Sequence, residues 1–116
     1  MLKKRRAFIV GLKKTFLTKK EIYFLNKYKP WGIILFSRNL KNLKQIKKLT
    51  NDIRVLFKDV KYPILIDQEG GRVNRLNNFT DTGLFTGEYF GNLFKTDKKK
   101  FIINYNIYIK QISEIL

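Results

Sequence analysis

A carboxylate and two guanidinium groups stand close together in Asp67-Gln68-Glu69-Gly70-Gly71-Arg72-Val73-Asn74-Arg75, directly after the apolar run Ile64-Leu65-Ile66. An aspartate at the end of such a run is costly to bury unless it is paired or accepts hydrogen bonds. Arg72 and Arg75 offer planar donors, and a carboxylate with a guanidinium can bracket adjacent hydroxyls of a sugar ring. Asp67 and Arg75 as a structural ion pair that shapes a loop is an equally good reading of the spacing alone. Gly70-Gly71 permits a tight turn and a close approach of backbone to a ligand. The block is not a phosphate-binding fingerprint, because it has neither the Gly-x-Gly-x-x-Gly spacing nor a Gly-Lys-Ser/Thr end. Glu69 is a further carboxylate, at a turn-forming position next to Gly70.

The surrounding pattern shows what must position this block. Ala7 to Val10 is a short β-type run. Thr18-Lys19-Lys20-Glu21 forms a capping box, so a helix is expected over 19–28 before Pro30. Trp31 to Ser37 is a continuous apolar run suited to a parallel strand buried on both faces. Asn39 or Asn42 can cap a second helix, with Leu43, Ile46, Leu49, Ile53 and Leu56 on its apolar face. Tyr62 to Ile66 is the third apolar run. Residues 77 to 95, with Gly83, Gly87 and Gly91 among aromatics, read as an irregular connection. Thr96 or Asp97 can cap a last helix with Phe101, Tyr105, Ile109, Ile112 and Leu116 along one side. The order strand, helix, strand, helix, strand, loop, helix is that of β/α units with a parallel sheet. Functional residues of such folds gather where strands finish, which is where Asp67 falls. Trp31, at a strand start, is expected to pack and not to meet a ligand.

Composition narrows the options. The 116 residues suit one domain at most, and ten Phe and six Tyr argue against disorder. The chain has no cysteine, which excludes disulfides and thiolate metal sites. It has no histidine, the commonest general acid-base and metal ligand. No cofactor and no metal are called for. The net charge of +16 is spread over Lys3-Lys4-Arg5-Arg6, Lys13-Lys14, Lys19-Lys20, Lys47-Lys48 and Lys98-Lys99-Lys100. That scatter, rich in lysine over arginine, reads as solvated surface and not as a nucleic-acid footprint. No apolar run approaches the roughly 20 residues of a membrane span, and Ala7 to Val10 is too short for a signal-peptide core, so a cytoplasmic setting is expected. Asn78-Phe79-Thr80 is a formal glycosylation sequon without a secretory signal.

Gly32-Ile33-Ile34-Leu35-Phe36-Ser37-Arg38-Asn39, the helix start Leu17 to Glu21 and above all the Asp67 to Arg75 block resemble the bacterial β-N-acetylglucosaminidases of glycoside hydrolase family 3. The resemblance runs from about Gly11 to Leu76. It departs afterwards, where the family has a Leu-Pro step and an alanine-rich helix and this chain has Phe79 to Phe94 without proline. The resemblance implies an α/β fold, the N-terminal β/α units of an incomplete (β/α)8 barrel of the TIM type, with residues 1–116 as its N-terminal part. A complete barrel needs about 250 residues. It also implies hydrolysis of O-glycosyl bonds by a retaining mechanism, removing terminal β-N-acetylglucosamine from peptidoglycan fragments. Asp67 and Arg75 are then substrate-binding residues for an N-acetylglucosamine-containing saccharide, and no catalytic residue is expected here. The family's nucleophile is a late aspartate and its acid-base a histidine, whereas this chain has no histidine and no aspartate after Asp97. The remainder of the barrel is an expected partner. An open piece of barrel leaves strand edges and apolar faces uncovered, so marginal stability or self-association is expected of the chain alone. A carbohydrate-binding remnant and a basic nucleic-acid-binding protein are the alternatives.

Overall fold

The computed structural model describes residues 4–115; Lys3 and Leu116 of the motifs above lie outside them. The chain forms two compact units, Met1–Asp67 and Gln68–Leu116.

The first unit is β1 (Arg6–Gly11), α1 (Lys19–Tyr28), β2 (Pro30–Leu35), a 3-10 turn (Ser37–Asn39), α2 (Leu43–Phe57) and β3 (Ile64–Ile66). The three strands form a parallel sheet in the order β1-β2-β3. Ile33 of β2 sits between Val10 on one side and Ile64 on the other. β2 is therefore the central strand, and Gly32, Ile33 and Leu35 are buried. A Cβ on Gly32 would come within 3.1 Å of the Pro63 carbonyl oxygen, so glycine there lets the segment before β3 approach closely.

Each helix begins and ends for local reasons. The Thr18 hydroxyl accepts from the Glu21 amide and the Glu21 carboxylate accepts from the Thr18 amide, the reciprocal box that fixes the start of α1. The Asn42 side chain accepts from the Gln45 amide and so caps α2. Both helices stop at a lysine in the left-handed region, Lys29 at φ 48° and Lys58 at φ 50°. Their amides return to Leu25 O in α1 and to Arg54 O and Val55 O in α2. Glycine is the usual residue at such a stop, and lysine carries a Cβ penalty there.

Leu25 of α1 and Ile46, Leu49, Thr50 and Ile53 of α2 are buried, together with Ile33, Leu35, Leu12 and Leu40. Each apolar side chain of this set contributes about 1.5–3 kcal/mol by leaving water. Leu43, expected on the inner face of α2, is 57% exposed. It occupies the first helical position, where the helix has only begun to meet the sheet, and Thr50 fills the face instead. Trp31 is 46% exposed at the start of β2 and does not pack as expected.

The end of the sheet at which β2 starts is closed by Tyr62, 2% exposed, whose hydroxyl donates to the Pro30 carbonyl at 2.8 Å. Phe57 stacks on the Tyr62 ring at 3.9 Å and the Arg5 guanidinium lies over the same ring at 4.7 Å. Arg5 also pairs with Asp59. Burial pushes the Tyr62 hydroxyl up to about 12, against the opposing pull of the Arg5 charge.

The second unit contains α3 (Gly87–Thr96) and α4 (Lys98–Ile115), which pack against each other. α3 replaces the irregular connection expected over much of 77–95. The Thr86 hydroxyl caps it by accepting from the Tyr89 amide at 3.0 Å. Phe90 and Phe94, four residues apart, then face α4. Gly87 falls at the first helical position and Gly91 has open space around it, so neither breaks the helix. Phe90 is the buried hub, edge-on to Tyr105 at 5.0 Å and Phe101 at 6.2 Å, an arrangement favoured by the ring quadrupole. Asp97 serves both helices: its amide returns to Leu93 O at 2.8 Å, and its side chain accepts from the Lys100 amide at 3.0 Å. α4 has no buried residue among those described, so the expected Phe101, Tyr105, Ile109 and Ile112 stripe is only half covered.

Candidate functional site

The strands end on loops that are held by side-chain amides. After β1, the chain from Leu12 to Thr15 has no ladder partner, and its carbonyls are taken by side chains of the loop after β2 and of α2. The Asn39 amide nitrogen donates to Leu12 O at 3.0 Å and Lys14 O at 2.7 Å, while its oxygen accepts from the Phe36 amide at 3.0 Å. Asn39 is fully buried. Sequence reading offered it as a helix cap; it is instead the pin between two strand-end loops. Arg38 adds a bond from Nε to Leu12 O at 2.8 Å and lies over the Phe36 ring at 4.6 Å. Gln45 of α2 donates to Thr15 O at 2.7 Å and Asn39 O at 3.0 Å. Glu21 accepts from the Lys13 amide at 2.8 Å. Burial raises the Glu21 carboxyl, but bonds from the Thr18 hydroxyl and the Lys13 and Thr18 amides, with the Lys13 charge, outweigh it and hold the group below its ordinary value.

β3 ends at Ile66 and Asp67 follows at once, exposed at the strand end where its sequence position put it. Asp67 closes the first unit; Arg75 belongs to the second, half-buried in the turn that follows the Gly70-Gly71 pair. Arg72 is exposed in the same segment.

The turn expected at Gly70-Gly71 is present. Gly70 has φ 79° and Gly71 φ 57°, and a bridge joins Gly70 to Val73. A Cβ on Gly70 would lie 2.8 Å from the Phe85 carbonyl oxygen, and one on Gly71 2.9 Å from the Thr86 methyl carbon. Both the left-handed backbone and the close approach therefore demand glycine. Beyond that bridge no strand or helix is found from 67 to 86, so backbone groups pair in turns or with side chains. Gln68 and Asn74 supply them. The Gln68 side-chain oxygen accepts from the Arg75 amide at 2.8 Å and the Leu76 amide at 3.3 Å. Its nitrogen donates to the Asn74 oxygen at 2.9 Å, with a longer contact to the Thr82 hydroxyl at 3.4 Å. Asn74 accepts from the Leu76 amide at 3.0 Å and donates to Thr80 O at 3.1 Å. Leu76 and Thr82 are buried beneath this network.

Glu69 is exposed beside a hollow of about 460 Å³ lined by Phe85, Phe90, Phe94, Tyr105 and Tyr108. No second carboxylate lines it, so the pair that glycosidase chemistry requires is not assembled there. Among the described residues no group of His, Cys, Asp and Glu could hold a metal ion. No helix of the described residues is long and apolar enough to cross a membrane.

Sequence reading gave no role to Gln45, Gln68 and Asn74, and it took Asn39 for a helix cap. All are neutral amides whose worth depends on which unpaired backbone groups surround them. Asn74 and Gln68 lie inside the motif, but motif spacing does not reveal their bonds.

The first unit thus carries a parallel β/α sheet with Asp67 directly after a strand, and the second carries the glycine turn and Arg75. The chain is similar to the β-hexosaminidase of Haemophilus influenzae, 39% identical over 74 residues, covering 62% of this chain and 20% of that protein. With the β-hexosaminidase of Haemophilus ducreyi the likeness extends over 96 residues at 38% identity, 81% of this chain and 27% of the relative. Among solved structures, NagZ from Neisseria gonorrhoeae in complex with N-trifluoroacetyl-D-glucosamine matches with a TM-score of 0.66 at 32% identity. That match covers 80% of this chain and 27% of the other. No family model matches. The chain is thus related to bacterial β-hexosaminidases, and it spans about a fifth to a quarter of the length of those it matches.

Proposed function

We propose that this chain forms part of the sugar-binding side of a retaining exo-β-N-acetylglucosaminidase of glycoside hydrolase family 3, acting on terminal N-acetylglucosamine of peptidoglycan fragments in cytoplasmic recycling. In this reading β1, β2 and β3 are the first strands of a (β/α)8 barrel, and residues 1–116 are its N-terminal part. The carrying observation is the Asp67 to Arg75 block at a strand end of a parallel sheet, in a chain similar to a NagZ crystallised with an N-acetylglucosamine analogue. Asp67 accepts from sugar hydroxyls, and Arg75 donates to them. Charge-assisted bonds of this kind are about twice as strong as neutral ones and orient a ring without reacting with it.

The chemistry itself belongs to residues outside these 116. Double displacement needs a nucleophile and an acid-base. The family's histidine has no counterpart among the 116 residues, and neither has its late aspartate. The remainder of the barrel, on this or another chain, supplies both.

Titration of the purified chain with N-acetylglucosamine, followed by amide chemical shifts, tests the reading. Saturable shifts at Asp67 and Arg75 are expected, and Asp67→Ala and Arg75→Ala should abolish them. Absence of any binding by the wild-type chain would sink the sugar-binding reading. An aryl β-N-acetylglucosaminide should not be hydrolysed by the chain alone; turnover would show that the catalytic groups are here after all.

A further inference from the structure

The backbone amide of Arg75 is held by a side chain and not by a ladder, and that side chain is Gln68. Its oxygen takes the Arg75 and Leu76 amides at 2.8 and 3.3 Å, and its nitrogen reaches Asn74 at 2.9 Å and the Thr82 hydroxyl at 3.4 Å. Thr82 is itself buried, and its carbonyl accepts from the Gly71 amide at 3.3 Å and the Phe85 amide at 3.0 Å. The bonds of Gln68, Asn74 and Thr82 therefore close a circuit from the glycine turn through Arg75 to the start of α3. Every member lies in the second unit. Apart from the Gly70–Val73 bridge no helix or strand runs through this stretch, so side-chain bonds such as these take part in setting its path.

From this circuit we infer that Gln68 is a positioning residue of the sugar site: it anchors the Arg75 backbone from which the guanidinium reaches. Where the Cα of an arginine is anchored sets which points its guanidinium can reach. Gln68 need not touch the sugar. The inference rests on the reading of Arg75 as a sugar ligand.

Three chains decide it: wild type, Gln68→Met and Gln68→Glu. Methionine keeps the length and loses every hydrogen bond. Glutamate keeps an acceptor for the Arg75 and Leu76 amides and loses the donor to Asn74. Each is titrated with N-acetylglucosamine, and amide hydrogen exchange is followed at Arg75, Leu76, Ile33 and Phe90. Gln68→Met should weaken binding about tenfold or more, the scale of leaving the Arg75 and Leu76 amides without their acceptor. Gln68→Glu should stay within about threefold of wild type, since the anchoring bonds survive. Exchange at Arg75 and Leu76 should quicken in Gln68→Met alone, with Ile33 in β2 and Phe90 in α3 unchanged.

Equal affinity of wild type and Gln68→Met would overturn the inference and leave the sugar reading standing. Failure of the wild type to bind would overturn both. Should Gln68→Met unfold the second unit, Gln68→Glu decides: loss of binding as complete as in Arg75→Ala, in a folded chain, would refute anchoring through the acceptor.

Discussion

Replacing Asn39 by alanine should destabilise the first unit by about 2–3 kcal/mol, on the basis of the bonds it makes. Asn39 is 0% exposed and forms three hydrogen bonds: to Leu12 O, to Lys14 O and from the Phe36 amide. Each is worth roughly 0.5–1.5 kcal/mol net, and the cost rises where a partner is left dry. Leu12 O keeps the Arg38 bond at 2.8 Å, and Lys14 lies at the surface where water can replace the amide. The Phe36 amide is less accessible and loses its acceptor. A loss of this size corresponds to a fall in melting temperature of about 8–12 °C for a domain near this length. Trp31, the chain's one tryptophan, lies in β2, so its fluorescence follows unfolding of this unit. Asn39→Asp separates the donor from the acceptor. It keeps the acceptor for Phe36 but turns an oxygen toward two carbonyls, which raises the introduced carboxyl's folded pKa above its unfolded value of about 3.9. Its stability is then fully present below that unfolded value and lost as pH rises through the folded one. Asn39→Asp should therefore be worse than alanine at neutral pH and recover on acidification. A loss below about 0.5 kcal/mol in Asn39→Ala, or an Asn39→Asp chain as stable as wild type at pH 7, would refute this account.

Three further outcomes follow from other elements. Lys29→Gly and Lys58→Gly should each raise stability by roughly 0.5 kcal/mol in urea unfolding, because glycine relieves the left-handed backbone more than its extra chain entropy costs; a loss in both would contradict the reading of these stops. The raised hydroxyl of Tyr62 contributes stability that is present below its unfolded pKa of about 10 and is lost as pH rises toward its folded value of about 12. Tyr62→Phe should cost about 1–2 kcal/mol at pH 7 through the Pro30 carbonyl it leaves unpaired, and should flatten the alkaline limb. The lowered carboxyl of Glu21 works the opposite way: its contribution is present above the unfolded pKa and lost as pH falls through the folded one. Glu21→Gln should therefore flatten the acid limb of the unfolding curve; an unchanged limb would count against the box as an acid-sensitive element.

Much of the first unit was legible in the sequence because its signals are local. The capping box at Thr18 and Glu21 fixed both the presence and the start of α1, and the apolar run after Pro30 marked the central strand. The second unit was less legible. Gly87 and Gly91 read as loop residues, yet the Thr86 cap and the Phe90 and Phe94 spacing outweigh two glycines that meet nothing. Leu43 and Trp31 were assigned to the interior by hydrophobicity, and the positions they occupy, each at the first turn or end of an element, leave them at the surface. For the site, Asp67 could be placed by its strand end and the glycines by their spacing. The roles of Asn39 and Gln68 could not, since an amide becomes a pin only when the fold brings unpaired carbonyls and amides to it.

The strand order of the sheet has a consequence for synthesis. Because β1, β2 and β3 are neighbours in the same order in which they are made, each new strand docks on the one before it, and no slot must be held open for a later segment. β2 can pair with β1 as soon as α1 has formed between them, and α2 then brings β3 to the free side of β2. Growth from one edge lets the nascent chain gain protection step by step as it leaves the ribosome, while the exposed rim moves ahead of the folded part. Parallel pairing is slow when it must wait for distant partners, and here each partner is always the preceding one.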